Sequence, residues 1–130
     1  MRQTYLRKHF GTRLRDLRKE QHLSGTELAV VIERHKTWIS HVETGRYATS
    51  LDTISRFAEV LAVDEMDLFT FPEINIRHAI NDLTRKVPIE TLAEVRDLLL
   101  QAAKESERKE QAKQKRLQLR SGAKRSIQPL

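Results

Sequence analysis

The side chains of this chain with the means to do chemistry are many, but their spacing suits recognition better than bond making. The five histidines, His9, His22, His35, His41 and His78, are scattered. None pairs with another four residues away or in an H-E-x-x-H run, so zinc ligation is not expected. Cysteine is absent and there are only four glycines, which excludes thiolate metal sites, disulfides and a glycine-rich phosphate cradle. No nucleophile stands beside a plausible base. The sequence therefore implies no enzyme activity and no cofactor. What remains is a dense hydrogen-bonding stretch, Lys36, Thr37, Ser40 and His41, interleaved with apolar Trp38, Ile39 and Val42. On a helix the apolar side chains face inward. Lys36, Thr37, Ser40 and His41 then take the N-terminal, outward-facing positions.

The elements that must hold this stretch read as short helices. Phe10, Leu14 and Leu17 repeat at i, i+4, i+7 and predict an amphipathic helix over about 5–21. Ser24 and Glu27 have capping-box spacing and start a second helix over about 25–32, burying Leu28, Ala29 and Ile32. Glu33-Arg34-His35-Lys36 breaks the pattern. A third helix spans about 36–44 and stops at Gly45, a suitable C′ residue. Ser50 caps a fourth helix with Leu51, Ile54, Phe57, Ala58 and Leu61 inside, and Asp64 a short fifth. No period-2 strand pattern and no internal repeat is seen. A helix over about 74–86 is expected with Ile76, Ala79, Ile80 and Leu83 inward. Pro88 then opens another, whose narrow apolar seam is Leu92, Val95, Leu99 and Ala102. That seam is the candidate dimerisation surface, unless it packs back on Ile76, Ile80 and Leu83 of the same chain. Residues 104–130 lack an apolar face and are expected to be largely disordered.

Charge is segregated along this order. Residues 1–46 carry 10 Lys/Arg against 5 Asp/Glu, residues 47–103 carry 5 against 10, and residues 104–130 carry 9 against 3. A basic front and tail attract polyanions, and an acidic middle faces away from them. No signal-peptide run or membrane span is present, so a cytoplasmic, nucleoid-associated protein is expected.

The run Leu23-Ser24-Gly25-Thr26-Glu27-Leu28-Ala29, followed by Trp38-Ile39-Ser40-His41-Val42-Glu43-Thr44-Gly45-Arg46, resembles the phage-repressor and Cro-like (XRE-type) helix-turn-helix family. Leu14-Arg15-Asp16-Leu17-Arg18 and Leu51-Asp52-Thr53-Ile54 fit that family's first and fourth helices. The resemblance covers about residues 10–70. It implies an all-α, five-helix lambda-repressor-like domain over 1–72, followed by a helical extension over 73–103 and a basic tail over 104–130. It also implies a regulator, a repressor by default, that binds double-stranded DNA. Lys36, Thr37, Ser40 and His41 then occupy positions that contact base edges in related domains. Ser24, Gly25 and Thr26 open the second helix, whose free amides suit a phosphate. Arg46 and Tyr47 would grip phosphate on the other flank, with Arg13, Arg34 and Thr49 as weaker candidates. Trp38 either packs on the domain or touches a sugar or thymine methyl. Arg18 and Glu43 match an internal ion pair that fixes the third helix. Specificity from so small a reader implies a homodimer on a palindromic operator.

The sequence departs from the family at four positions. The usual glutamine is Gly25, the turn glycine is Glu33, the apolar turn residue is Arg34, and the Ser/Thr cap is His35. Two other roles fit the same residues. One is the antitoxin of a toxin–antitoxin pair, with a protein partner on the C-terminal extension. The other is a protein-interaction module with little DNA affinity.

Overall fold

A computed structural model describes residues 2–127, with side chains described over 5–123. All its regular elements are helices: α1 (Arg2–Glu20), α2 (Gly25–Ile32), α3 (Lys36–Glu43), α4 (Leu51–Leu61), α5 (Glu65–Leu68), α6 (Ile76–Thr84) and α7 (Ile89–Ile127). The chain forms two units, residues 1–86 and 87–130. α6 is bonded into the first unit.

In the first unit, one core draws on five helices. Leu14, Leu17, Leu28, Ile32, Ile39, Val42, Phe57, Leu61 and Leu68 are almost wholly buried. Burying each of these side chains contributes about 1.5–3 kcal/mol. The helix starts follow the capping chemistry of the sequence. Ser24 Oγ accepts from Glu27 N at 3.0 Å, and Ser24 N donates to Glu27 Oε1 at 3.3 Å. Ser50 Oγ accepts from Thr53 N at 3.2 Å. Each contact satisfies an amide that the first helical turn leaves open.

α6 reverses the sequence expectation. Ile76, Ile80 and Leu83 are exposed, while Asp82 is buried and His78, Asn81 and Arg85 are half-buried. The cause lies on α1. Arg13 falls on the inner stripe with Phe10, Leu14 and Leu17, and it is buried. A buried guanidinium requires acceptors. Its Nε donates to Asp67 O at 2.8 Å, and its Nη2 meets Asp82 Oδ1 at 2.6 Å. Arg85 Nε also donates to Asp82 Oδ1, and Arg85 Nη2 reaches Glu20. Asn81 Nδ2 donates to Thr70 Oγ1 at 2.6 Å, and His78 Nδ1 accepts from Phe71 N at 2.8 Å. The polar side of α6 is thus the side that docks. The same pair removes Arg13 from the phosphate candidates. Burial by itself would raise the Asp82 carboxyl, but the hydrogen bonds and charges of Arg13 and Arg85 hold it well below the ordinary carboxylate range.

In the second unit, α7 runs unbroken through residues expected to be disordered. No proline interrupts 104–127, its first glycine is Gly122, and Lys, Glu, Gln, Ala, Arg and Leu dominate. Those residues favour helix intrinsically, and Glu105–Lys109 and Glu110–Lys113 are helix-supporting spacings. Leu92 and Val95 are half-buried, and Leu99 and Ala102 are exposed. No described helix is long and apolar enough to cross a membrane.

Candidate nucleic-acid interface

The turn between α2 and α3 is built from residues that are ill suited to it by type. Glu33 adopts the left-handed conformation, φ 59° and ψ 43°, where the related domains carry glycine. Its amide and that of Arg34 reach back to the end of α2, Glu33 N to Val30 O at 3.2 Å and Arg34 N to Ala29 O at 2.9 Å. These bonds satisfy carbonyls that the helix end would otherwise leave open. The next residue, His35, takes the N-cap of α3, and its Nδ1 accepts from Thr37 N at 3.2 Å. The ring nitrogen thus replaces the usual hydroxyl. Arg34 is not lost to solvent either, since its guanidinium lies 4.8 Å from the centre of the Trp38 ring.

α3 has a fixed inner side and a free outer one. Ile39 and Val42 are buried, and half-buried Trp38 stacks on Phe57 with ring centres 6.2 Å apart. Trp38 therefore packs on the domain. Arg18 clamps the far end: its Nε and Nη2 donate to Glu43 Oε1 and Oε2 at 2.6 and 3.1 Å, and its Nη1 donates to Leu23 O at 2.8 Å. One guanidinium thereby joins α1, the start of the helix-turn-helix and the end of α3. The two-pronged geometry suits arginine specifically.

A second constraint on α3 has no counterpart in the sequence expectations. Gly11, in the middle of α1, lies against the C-terminal carbonyls of α3. A Cβ there would stand 2.4 Å from Glu43 O and 2.5 Å from Val42 O. A glycine inside a strong helical pattern is the available signal, because it costs the helix about 1 kcal/mol unless close packing requires it.

On the outer side, Lys36, Thr37 and Ser40 are exposed and His41 is half-buried. The His41 ring is not free: it meets Tyr47 edge-on, ring centres 4.8 Å apart. Gly45, φ 79°, ends the helix, and Arg46 N returns to His41 O at 2.8 Å. Arg46 and Tyr47 are exposed just beyond it, as are Ser24 and Thr26 at the start of α2, where Gly25 is half-buried. Among the described residues, no group of three or more His, Asp or Glu side chains could hold a metal ion.

Comparison with known proteins agrees with this geometry. The helix-turn-helix domain family matches residues 9–69. The ImmF control region 10 kDa protein of Bacillus phage phi105 is 36% identical over 69 residues, 53% of this chain and 76% of the phage protein. Control protein C.BamHI of Bacillus amyloliquefaciens is 35% identical over 66 residues, 50% of this chain and 82% of the relative. Among solved structures, the hypothetical transcription factor NHTF of Neisseria has a TM-score of 0.50 at 29% identity, covering 52% of this chain and 78% of its own. These matches reach about half of the chain and fall on the lambda-repressor-like fold. The protein belongs to the XRE-type helix-turn-helix family of DNA-binding transcription regulators.

Proposed function

We propose that the protein is a sequence-specific repressor that reads the major groove of double-stranded DNA with α3. The observation that carries this reading is the two-sidedness of α3. Its inner side is held by Ile39, Val42, the Gly11 contact and the Arg18–Glu43 pair. Its outer side offers Lys36, Thr37, Ser40 and His41 as donors and acceptors. Rigid placement with free hydrogen-bonding groups is what base-edge recognition requires. Ser24, Gly25 and Thr26, with Arg46 and Tyr47, are positioned in sequence to flank it with phosphate contacts. Sites selected from a random duplex pool supply the test. Lys36→Ala and His41→Ala should each weaken binding to the selected site by about 1–3 kcal/mol with the melting temperature nearly unchanged. Wild-type affinity in both variants would refute the assignment of α3.

The reader acts as a homodimer joined through Leu92, Val95, Leu99 and Ala102 of α7. In support, α7 is 39 residues long and leaves Leu99 56% exposed. An isolated helix gains little stability unless an apolar face is covered. Two copies sharing this seam would bury it isologously and present two readers to a palindromic operator. Leu92→Asp with Leu99→Asp should give a monomer by light scattering with the first unit still folded. A wild-type monomer that binds a half-site with full affinity would overturn the dimer.

A further inference from the structure

The distal half of α7 lies beyond the seam proposed above for the dimer, and it has no apolar side. Every residue from 104 to 123 is exposed. Residues 104–110 hold three Lys/Arg and three Asp/Glu, whereas residues 111–130 hold six Lys/Arg and no Asp/Glu. The basic excess of the tail therefore sits entirely past Glu110.

These charges are not spread evenly round the helix. Lys109, Lys113, Arg116 and Arg120 stand four, three and four residues apart. At about 100° and 1.5 Å per residue they fall within an arc of about 60° and a length of about 16 Å. The spacing is that of Leu92, Val95, Leu99 and Ala102, carried on past Ser106. One side of α7 is thus apolar in its near half and cationic in its far half. Such a stripe works against the helix, because neighbours of like charge three or four residues apart are destabilising. Glu105 and Glu110 are spaced to support Lys109 and Lys113, but Arg116 and Arg120 have no acidic residue within a turn on either side. Among the described residues, none of the four has an ion-pair partner.

The chemistry of the stripe selects its partner. A second copy paired in register along the seam brings the same four cations and cannot cover them. A lipid surface needs an apolar face beside the cations, and Leu117 and Leu119 lie about 160° apart on the helix. A protein partner draws most of its affinity from a desolvated centre rich in aromatic side chains, and the stripe has none. A nucleic-acid duplex gains from charge alone, since each neutralised phosphate releases condensed counterions. One strand presents a phosphate about every 3.4 Å of axis, so the stripe spans several. The chain belongs to a family of DNA-binding regulators, which favours DNA over RNA.

We propose that Lys109, Lys113, Arg116 and Arg120 form a second DNA contact, a phosphate-binding stripe that holds a duplex of any sequence. The division of labour, in which the stripe holds and α3 reads, rests on the function proposed above. The stripe itself rests on α7 alone.

The test uses the full chain and two triple variants that lose the same charge. Lys113→Gln with Arg116→Gln and Arg120→Gln empties most of the stripe. Lys104→Gln with Arg108→Gln and Lys115→Gln removes three cations grouped within about 40° on another side of α7. Glutamine has a helix propensity close to that of Lys and Arg, and circular dichroism checks the helix in each variant. Affinity for a random-sequence duplex is measured across a range of salt concentrations. The stripe variant should bind at least about tenfold more weakly at low salt, with a slope of log affinity against log salt shallower by about 2–3. The other variant should stay within about threefold of wild type, its cations being screened rather than in contact. Equal losses in the two variants would reduce the tail to a diffuse charge and overturn the stripe, as would full affinity in the stripe variant. Tighter binding of wild type to duplex RNA or to phosphatidylserine vesicles than to the DNA duplex would overturn the choice of partner. The stripe variant should lose the same factor on a selected site as on random duplex, and a changed ratio would overturn its indifference to sequence. A wild type that prefers no site, with the stripe variant still weakened on random duplex, would sink the reading by α3 and leave the stripe standing.

Discussion

α1 and α6 are both amphipathic by sequence, yet they pack in opposite senses. α1 buries its apolar stripe, Phe10, Leu14 and Leu17, and carries Arg13 in among them. α6 buries Asp82 and half-buries His78, Asn81 and Arg85, leaving Ile76, Ile80 and Leu83 outside. The difference follows from one charge. Once Arg13 is in the core it requires an acceptor, because an unpaired buried charge costs about 3–5 kcal/mol, and the polar side of α6 is the one that supplies it, through Asp82. Apolar periodicity therefore identifies a helix more securely than it identifies the side that docks.

Substitutions on the two helices should separate these packing modes. The largest effect is expected on α1. Arg18→Ala leaves the Glu43 carboxylate and Leu23 O without their donor, and should destabilise the fold by about 3–5 kcal/mol. Chemical denaturation should register this along with weaker duplex binding, and an unchanged midpoint would show that the pair holds nothing. A middle effect is expected for Asp82→Asn, about 2 kcal/mol at neutral pH, since Arg13 and Arg85 lose a charged acceptor. Its pH dependence has a definite sign. The folded Asp82 carboxyl titrates below its ordinary range, so its stabilisation is complete above the unfolded value of about 3.9 and declines as pH falls below that toward the folded value. The gap in melting temperature between wild type and Asp82→Asn should thus hold from neutral pH to about pH 4 and narrow below it. A gap that stays constant through the acid range would mean the carboxylate charge is not what matters. The smallest effect belongs to Ile80→Ser on the exposed side of α6, within about 0.5 kcal/mol of wild type. A loss as large as that of Asp82→Asn would show that the apolar side of α6 is covered in solution and would undo the comparison.

Much of this was legible from residue order. The Ser24–Glu27 capping box and the apolar positions of α2 and α3 give those helices within a residue of their observed bounds. Arg18 and Glu43, 25 residues apart, were paired through the family resemblance, and they meet. Less was visible where two elements decide together. The docking side of α6 depends on Arg13, 69 residues from Asp82, and no periodicity on α6 encodes it. Gly11 has no side chain and leaves no mark in an apolar pattern; its only sign is a glycine placed inside a strong helical stretch. Helix over 104–127 has a different origin: the stretch shows no apolar face, and its order rests on a run of residues that favour helix one by one.

The Gly11 crossing also bears on how the reader proposed above could be changed. With backbone against helix on one side and the Arg18 clamp at the end, the position of α3 does not depend on what its outer side chains are. Residues 36, 37, 40 and 41 form an interchangeable set on a fixed mount. Libraries randomised at those four positions, with residues 11, 18 and 43 kept, should yield folded proteins with new sequence preferences at high frequency. Freeing residue 11 in the same library should scramble the register of the whole set at once, and no choice at the other four positions would recover it.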